Sequence, residues 1–314
     1  MKLLRIIPDG TQYPFMGWRR WSFPFSALIS VISVVAFFAF GMNVGIDFKG
    51  GSLFEIQAKS GKADISAIRS KVTSLNIGGA EIQGFGSDAD VLVQIELQKD
   101  GEIGQKRVVD AMHQAFDTDY VIRRTETVGP RVSAELVRDG TIGILLALVC
   151  ITIYLWFRFE WQFAVGAMIA TMHDLVLTIG FYAIARLHFD QTSIAAILTI
   201  VGYSLNDTVV IYDRIREMMR KYKKMSTDDM MDIAVNATLS RSIVTHLTVF
   251  LALCGLVLFG GEVIRGFSLA MLFGLVVGTY SSVFIAAPIL IYLGVKVGEP
   301  KPELSKAITP AKAR

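Results

Sequence analysis

The chain has 314 residues, 53% of them hydrophobic and only 19% charged, with the charges gathered in blocks between long apolar stretches. That pattern excludes a soluble globular domain and reads as an integral membrane protein. The net charge of +3 comes from basic clusters flanking apolar spans, so it is a topology signal and no ground for nucleic-acid binding.

Residues 1–21 are expected to be a cytoplasmic segment and 22–43 the first membrane helix, with Trp18, Trp21 and Phe23 in an interfacial belt. The stretch is too long for a secretory signal core and no small-residue cleavage site follows it, so it is read as retained. Residues 44–138 form a polar external domain, long enough to fold alone. Within it, alternation predicts strands over 52–58, 80–85, 91–97 and 120–128, and helical periodicity predicts helices over 64–75 and 103–116. Gly86-Ser87-Asp88 supplies a hairpin turn. The order β-α-β-β-α-β is the split βαβ, ferredoxin-like plan.

Five further spans are expected within residues 139–294, at about 140–157, 161–185, 192–212, 242–260 and 266–294. Residues 213–241 form a cytoplasmic loop: a basic extension of the fourth span, then a separate amphipathic helix capped by Thr227 and Asp228. That helix is expected to lie along the membrane surface on Met231, Ala234, Val235 and Leu239. Residues 295–314 are a cytoplasmic tail. Lys2, Arg5, Arg19, Arg20, Arg158, the basic residues of 213–241 and Lys296, Lys301, Lys306, Lys312 and Arg314 mark one side of the bilayer. Only Arg186 and Arg265 mark the short loops on the other, so both termini are assigned to the cytoplasm. Cys150 and Cys254 fall inside spans, as small apolar packing groups with no disulfide.

Two spans carry small residues at every fourth position: Gly266, Ala270, Gly274, Gly278, Ser282 and Ala286 in the last, and Gly166, Ala170, Asp174 and Thr178 in the third. Such stripes let helix backbones approach closely in lipid. They also turn Asp174 toward protein. Asp207 is the one charge in residues 192–212, roughly 9 Å from the charged edge at Asp213. An ionised carboxylate at such depth costs about 2.5–3.5 kcal/mol on insertion scales, so it is a functional candidate.

In general, burial favours the neutral form of an acid and a nearby arginine the charged form, and a carboxylate held between the two can load and release a proton. Asp207 is therefore read as a proton relay, with a structural hydrogen-bonding role as the competing reading. Arg241 is either part of that relay or a snorkelling anchor at the start of the fifth span. Asp174 is either a helix-to-helix hydrogen-bonding group or a second proton site. His173 and His246 are read as satisfied bundle histidines. No phosphate-cradling loop, metal-ligand spacing or nucleophile elbow occurs, and Gly50-Gly51 is a turn, so no metal, cofactor or ATP hydrolysis is expected.

Several strings have a recognisable character. Gly45-Ile46-Asp47-Phe48-Lys49-Gly50-Gly51, Val128-Gly129-Pro130, His173-Asp174 and Gly202-Tyr203-Ser204-Leu205-Asn206-Asp207-Thr208-Val209-Val210 resemble the SecD/SecF family of the bacterial Sec protein-export machinery, on its SecF side. The resemblance runs from about residue 20 to 295. It implies six helices forming half of a twelve-helix bundle of the resistance-nodulation-division superfamily, with SecD as the other half and YajC and the SecYEG channel as associated components. The implied function is proton-motive-force-dependent export of unfolded preproteins across the bacterial inner membrane. In such proteins the acid of the fourth-span motif and an arginine opening the fifth span line the proton pathway, positions held here by Asp207 and Arg241.

Half of a small-molecule or lipid exporter of the same superfamily is the nearest rival, and its external domains would be several times larger. An intramembrane aspartyl protease would be expected to carry a Gly-x-Gly-Asp motif, whereas Asp207 follows Leu205-Asn206 and Asp174 follows His173. A scaffold without proton chemistry leaves the intramembrane charges unexplained.

Overall fold

The computed structural model describes residues 11–295, so Lys2, Arg5 and the basic residues of the tail lie outside the described residues. Six helices among the described residues are long and apolar enough to cross a membrane. A 3-10 turn (Phe15–Trp18) leads into α1 (Arg19–Phe40), followed by β1 (Asn43–Val44) and a one-turn helix α2 (Ile46–Lys49). The sheet domain, expected to be external, comprises β2 (Gly51–Ala58), α3 (Ile65–Ser74), β3 (Ala80–Phe85), β4 (Ser87–Ile95), α4 (Gly101–Phe116) and β5 (Tyr120–Val128).

The four strands run in the order β3-β4-β2-β5, with every neighbouring pair antiparallel. β4 therefore separates β2 from β3, and β2 separates β4 from β5, so both βαβ units are split as the element order predicted. One face of the sheet packs Phe54, Ile56, Val91, Val93 and Ile95 against Ile68 and Val72 of α3 and Val108, Met112 and Phe116 of α4. The hairpin is tighter than expected. β4 begins at Ser87, because Gly86 alone turns the chain at φ 74° and a bulge at Gly84/Phe85 absorbs the register.

The membrane part continues with α5 (Pro130–Arg158), α6 (Trp161–Ala185), β6 (His188–Phe189), α7 (Gln191–Lys221), α8 (Thr227–Phe259), α9 (Glu262–Ser281), a π-helical segment (Ser282–Ala286) and α10 (Ala287–Tyr292). α5 starts ten residues before the expected second span, because Gly129 at the N-cap and Pro130 at the first helical position are helix-start signals in a segment too polar for a hydropathy window. The surface helix expected within 213–241 is not a separate element. It is the first part of α8, which runs unbroken into the fifth span because no glycine or proline interrupts residues 227–254. Its cap is Ser226, whose hydroxyl accepts from the Asp229 N–H. Its apolar face, Met230, Met231, Ala234 and Val235, is buried against Phe15, Met16, Ile215 and Met218 and so packs on protein. Asp228 ties this face to Arg19 (2.6 Å), and the Asp232 carboxylate accepts from the Met16 N–H (2.8 Å).

α6, α7 and α9 form the centre of the bundle and bury far more of their length than α1, α5 and α8. α9 and the π segment climb α7 in four-residue steps. Gly274 lies under Ile200 and Gly278 under Ser204, while the Ser282 hydroxyl meets that of Thr208 (2.8 Å) and the Ala286 carbonyl accepts from Tyr212 Oη (2.8 Å). Gly266, the first member of that stripe, meets nothing. The π segment has a local cause: Pro288 has no N–H, which frees the Phe284 carbonyl to accept from Ser22 Oγ (3.0 Å).

The external domain docks on the end of the bundle through its second sheet face. β1 pairs in parallel with β6, Gly45 N–H donates to Phe189 O (2.9 Å), and Asp47 Oδ2 accepts from Gln191 N–H (3.0 Å) at the start of α7. His188 sits in this seam beside Gln83 (3.5 Å), and burial pulls its pKa below the ordinary 6.5 against the opposing fields of Asp190, Glu81 and Asp47.

Candidate functional site

The close approach of α6, α7 and α9 brings three polar groups into the bundle interior. Asp174 of α6 is 0% exposed; its Oδ2 accepts from Ser204 Oγ of α7 (2.5 Å) and from Ser281 Oγ of α9 (2.7 Å), and its Oδ1 lies 3.1 Å from His173 Nδ1. Both carboxylate oxygens have partners. Three residues along α7 from Ser204, Asp207 faces the α7–α8 seam. Its Oδ1 accepts from Ser242 Oγ (2.5 Å), while Oδ2 is buried with no hydrogen-bond partner among the described residues.

A buried acceptor without a donor is uncommon and costly, about 1–3 kcal/mol, unless it serves a purpose such as taking up a proton. The polar seam continues from this point. His246 Nδ1 lies 3.0 Å from Thr279 Oγ1, and the Tyr203 ring lies against His246, tilted by 50° with centroids 5.3 Å apart, its hydroxyl without a partner among the described residues. Thr208 and Ser282 close the floor toward α9.

Arg241 is one residue before Ser242 and is exposed. It forms no ion pair with Asp207 or any other group among the described residues. Instead it lines a cavity with Val210, Asp213 and Thr238 at the end of the bundle away from the sheet. The hydroxyl donors Ser204, Ser242 and Ser281 were not singled out from sequence. Their only signal is position: Ser204 lies inside the Asp207 motif, Ser242 follows Arg241, and Ser281 flanks the small-residue stripe.

The remaining motif residues have distinct places. Gly50 and Gly51 have φ of 72° and 121°, and a Cβ at Gly51 would stand 2.2 Å from Ile95 O, so the turn from α2 into β2 requires glycine. Asp47 caps α7, the helix that carries Asp207. Gly129 and Pro130 start α5. Gly202 and Asn206 are exposed, in line with Ala195 and Thr199, and on α8 a matching exposed line runs through Ala237, Arg241, Thr245, Thr248 and Ala252. α1 and α5 face outward with bulky apolar groups such as Val35, Phe38, Leu146 and Val149. The α7/α8 face, small and polar, is built to meet protein and not lipid.

Comparison with known proteins places this geometry in context. The profile described as "Protein export membrane protein SecD/SecF, C-terminal" matches residues 108–296, and that of the "SecD/SecF GG Motif" matches residues 35–62. The chain is 40% identical over 289 residues to the protein translocase subunit SecF of Rickettsia bellii, covering 91% of this chain and 95% of the relative. It is 41% identical to SecF of Cereibacter sphaeroides, covering 98% and 97%. With the protein translocase subunit SecDF of Brucella abortus it shares 43% identity, covering 94% of this chain but 39% of that longer protein. The crystal structure of SecDF, a translocon-associated membrane protein from Thermus thermophilus, superimposes with a TM-score of 0.81 at 31% identity, covering 90% of this chain and 39% of that one.

Proposed function

Because this chain belongs to the protein export membrane protein SecD/SecF family, we propose that it is the SecF-type subunit of a bacterial Sec protein translocase that couples proton flow through its bundle to late-stage export of unfolded preproteins. The observation that carries this reading is the buried, half-satisfied carboxylate of Asp207 beside a bare polar face. One proton crossing 100 mV releases about 2.3 kcal/mol, enough to shift a two-state bundle more than tenfold. Asp207 is the group that loads and releases the proton. Arg241, next to Ser242 on α8, is the cation that sets its charge state once the exposed face is covered. Asp174, with both oxygens occupied, supports the architecture of the path.

A SecD-type partner is the natural cover for the α7/α8 face, and relatives that carry SecD and SecF in one chain favour it. SecYEG and YajC are the further components expected of such an assembly. The basic groups at the end away from the sheet, Arg158, Arg214, Arg216 and Arg220, favour an inner-membrane orientation with both termini in the cytoplasm. The subunit works as a coupling protein and not as an enzyme. The exporter reading is disfavoured by the single small external domain.

The test is preprotein translocation into inverted vesicles with and without an uncoupler. Asp207→Asn, which keeps volume but cannot change charge, should assemble with its partner and lose the uncoupler-sensitive share of export. Full uncoupler-sensitive export by assembled Asp207→Asn protein would remove this residue from the proton path.

A further inference from the structure

At the end of the bundle away from the sheet, α7 and α8 border a cavity of about 890 Å³. Five arginines line it, Arg158, Arg214, Arg216, Arg220 and Arg241, against two carboxylates, Asp213 and Glu217. The carboxylates are already engaged: one Arg158 nitrogen, Nη2, donates to both oxygens of Asp213 (2.5 and 2.6 Å), and Glu217 pairs with Arg214 (2.6 Å). Arg216, Arg220 and Arg241 have no carboxylate partner among the described residues. Arg216 is held in place by stacking over Phe159 (5.6 Å) and by the Arg158 carbonyl (3.4 Å). The concavity is thus lined by three guanidinium groups whose charge no carboxylate among the described residues neutralises.

Its depth in the membrane follows from the neighbouring aromatics. Trp156, Phe157 and Trp161, at the turn that carries Arg158, are 63%, 85% and 53% exposed, as side chains of an interfacial belt are. The arginines therefore lie at headgroup level. Simple topology-determining charge needs no cavity, whereas three guanidinium groups without a carboxylate partner, from two helices, line this one, and guanidinium forks suit phosphate oxygens.

We propose that this cavity binds the phosphodiester headgroup of an anionic phospholipid. Basic pockets between membrane helices on the cytoplasmic side are suited to such headgroups, and here the wall residues Val210 and Thr238 each lie one helical turn from Asp207 and Ser242. A bound headgroup neutralises Arg241 from below and fixes the spacing of α7 and α8 at the carboxylate. The lipid is then a modulator of the coupling site, independent of which preprotein is moved.

The test uses the full chain co-purified with its SecD-type partner in neutral detergent, probed by native mass spectrometry and by titration with phosphatidylglycerol or phosphatidylcholine of matched chains. Phosphatidylglycerol should bind roughly tenfold more tightly, and the Arg216→Gln/Arg220→Gln double variant should abolish that preference while leaving assembly and thermal midpoint unchanged. The Lys double variant should keep part of it. Equal binding of the two lipids, or a preference untouched by the Gln variant, would overturn the proposal. Displacement by inorganic phosphate at equal concentration would reassign the site to a soluble anion. A site inaccessible to any lipid in the assembled complex would reassign it to an acidic segment of the partner, and in either case the lipid reading fails.

Discussion

Two aspartates lie buried in one helix bundle, yet their surroundings differ in a way that separates architecture from chemistry. Asp174, between α6, α7 and α9, has hydroxyl donors from two helices and an imidazole on its second oxygen. Asp207, between α7 and α8, has one serine and an unpartnered oxygen, and its seam borders an exposed polar face. Burial alone would treat the two alike. Satisfaction of the carboxylate itself distinguishes them: Asp174 has a partner on each oxygen, although the adjacent His173 Nε2 is buried without one among the described residues, whereas Asp207 has a partner on one oxygen alone.

The largest effect on stability is expected at the satisfied site. Asp174→Ala leaves the Ser204 and Ser281 hydroxyls buried without their acceptor and should lower the stability of the solubilised protein by about 3 kcal/mol. An unchanged thermal midpoint would show that the three-helix junction does not depend on the carboxylate. Next comes the packing that brings these helices together. A Cβ on Gly274 would stand 2.5 Å from Ile200, so Gly274→Ala should cost about 1–3 kcal/mol and be partly rescued by Ile200→Ala. Gly266→Ala, in the same stripe but facing open space, should be neutral, and equal losses at both glycines would contradict this packing.

The open side of the comparison is sharpened by Asn206→Leu. It should leave the midpoint of the isolated chain within about 0.5 kcal/mol, as surface substitutions do, and reduce co-purification of the SecD-type partner several-fold. Undiminished co-purification would exclude this face as the interface. The smallest effect concerns the docking seam. His188 has a depressed pKa in the docked state, so that state binds fewer protons than an undocked one. Docking is at full strength above the ordinary histidine value of 6.5 and weakens as pH falls below it. A cysteine cross-link between the external domain and the 186–190 turn should form less readily in acid, and His188→Gln should flatten that profile.

Much of the fold is legible in the chain because its signals are local. The strands over 80–85 and 120–128 coincide with β3 and β5, and in β5 the alternation runs the whole length of the strand. The Ala-Gly-Ser stripe of the last span meets α7 at successive four-residue steps, since helical periodicity alone sets which residues share a face. The unbroken length of α8 is hidden for the opposite reason. A change from amphipathic to uniformly apolar composition resembles a boundary, and only the absence of a breaker reveals one helix.

The carboxylates announce themselves as charges in apolar runs, but their hydroxyl partners do not, because serine is ordinary in membrane helices. Ser204 and Ser281 become informative only when tertiary packing brings them to Asp174. Arg241 illustrates the limit in the other direction. The resemblance implies that it lines the proton path with Asp207; in this chain by itself Ser242 donates to Asp207 while Arg241 is exposed.

The central claim is that Asp207 is the reactive carboxylate and Asp174 the structural one. The most direct measurement is the ratio of preprotein export without uncoupler to export with it, in inverted vesicles matched for assembled Asp207→Asn or Asp174→Asn protein. The account predicts a ratio near one for Asp207→Asn, and for Asp174→Asn a ratio close to that of the unaltered protein. A preserved ratio in Asp207→Asn together with a collapsed one in Asp174→Asn would contradict it.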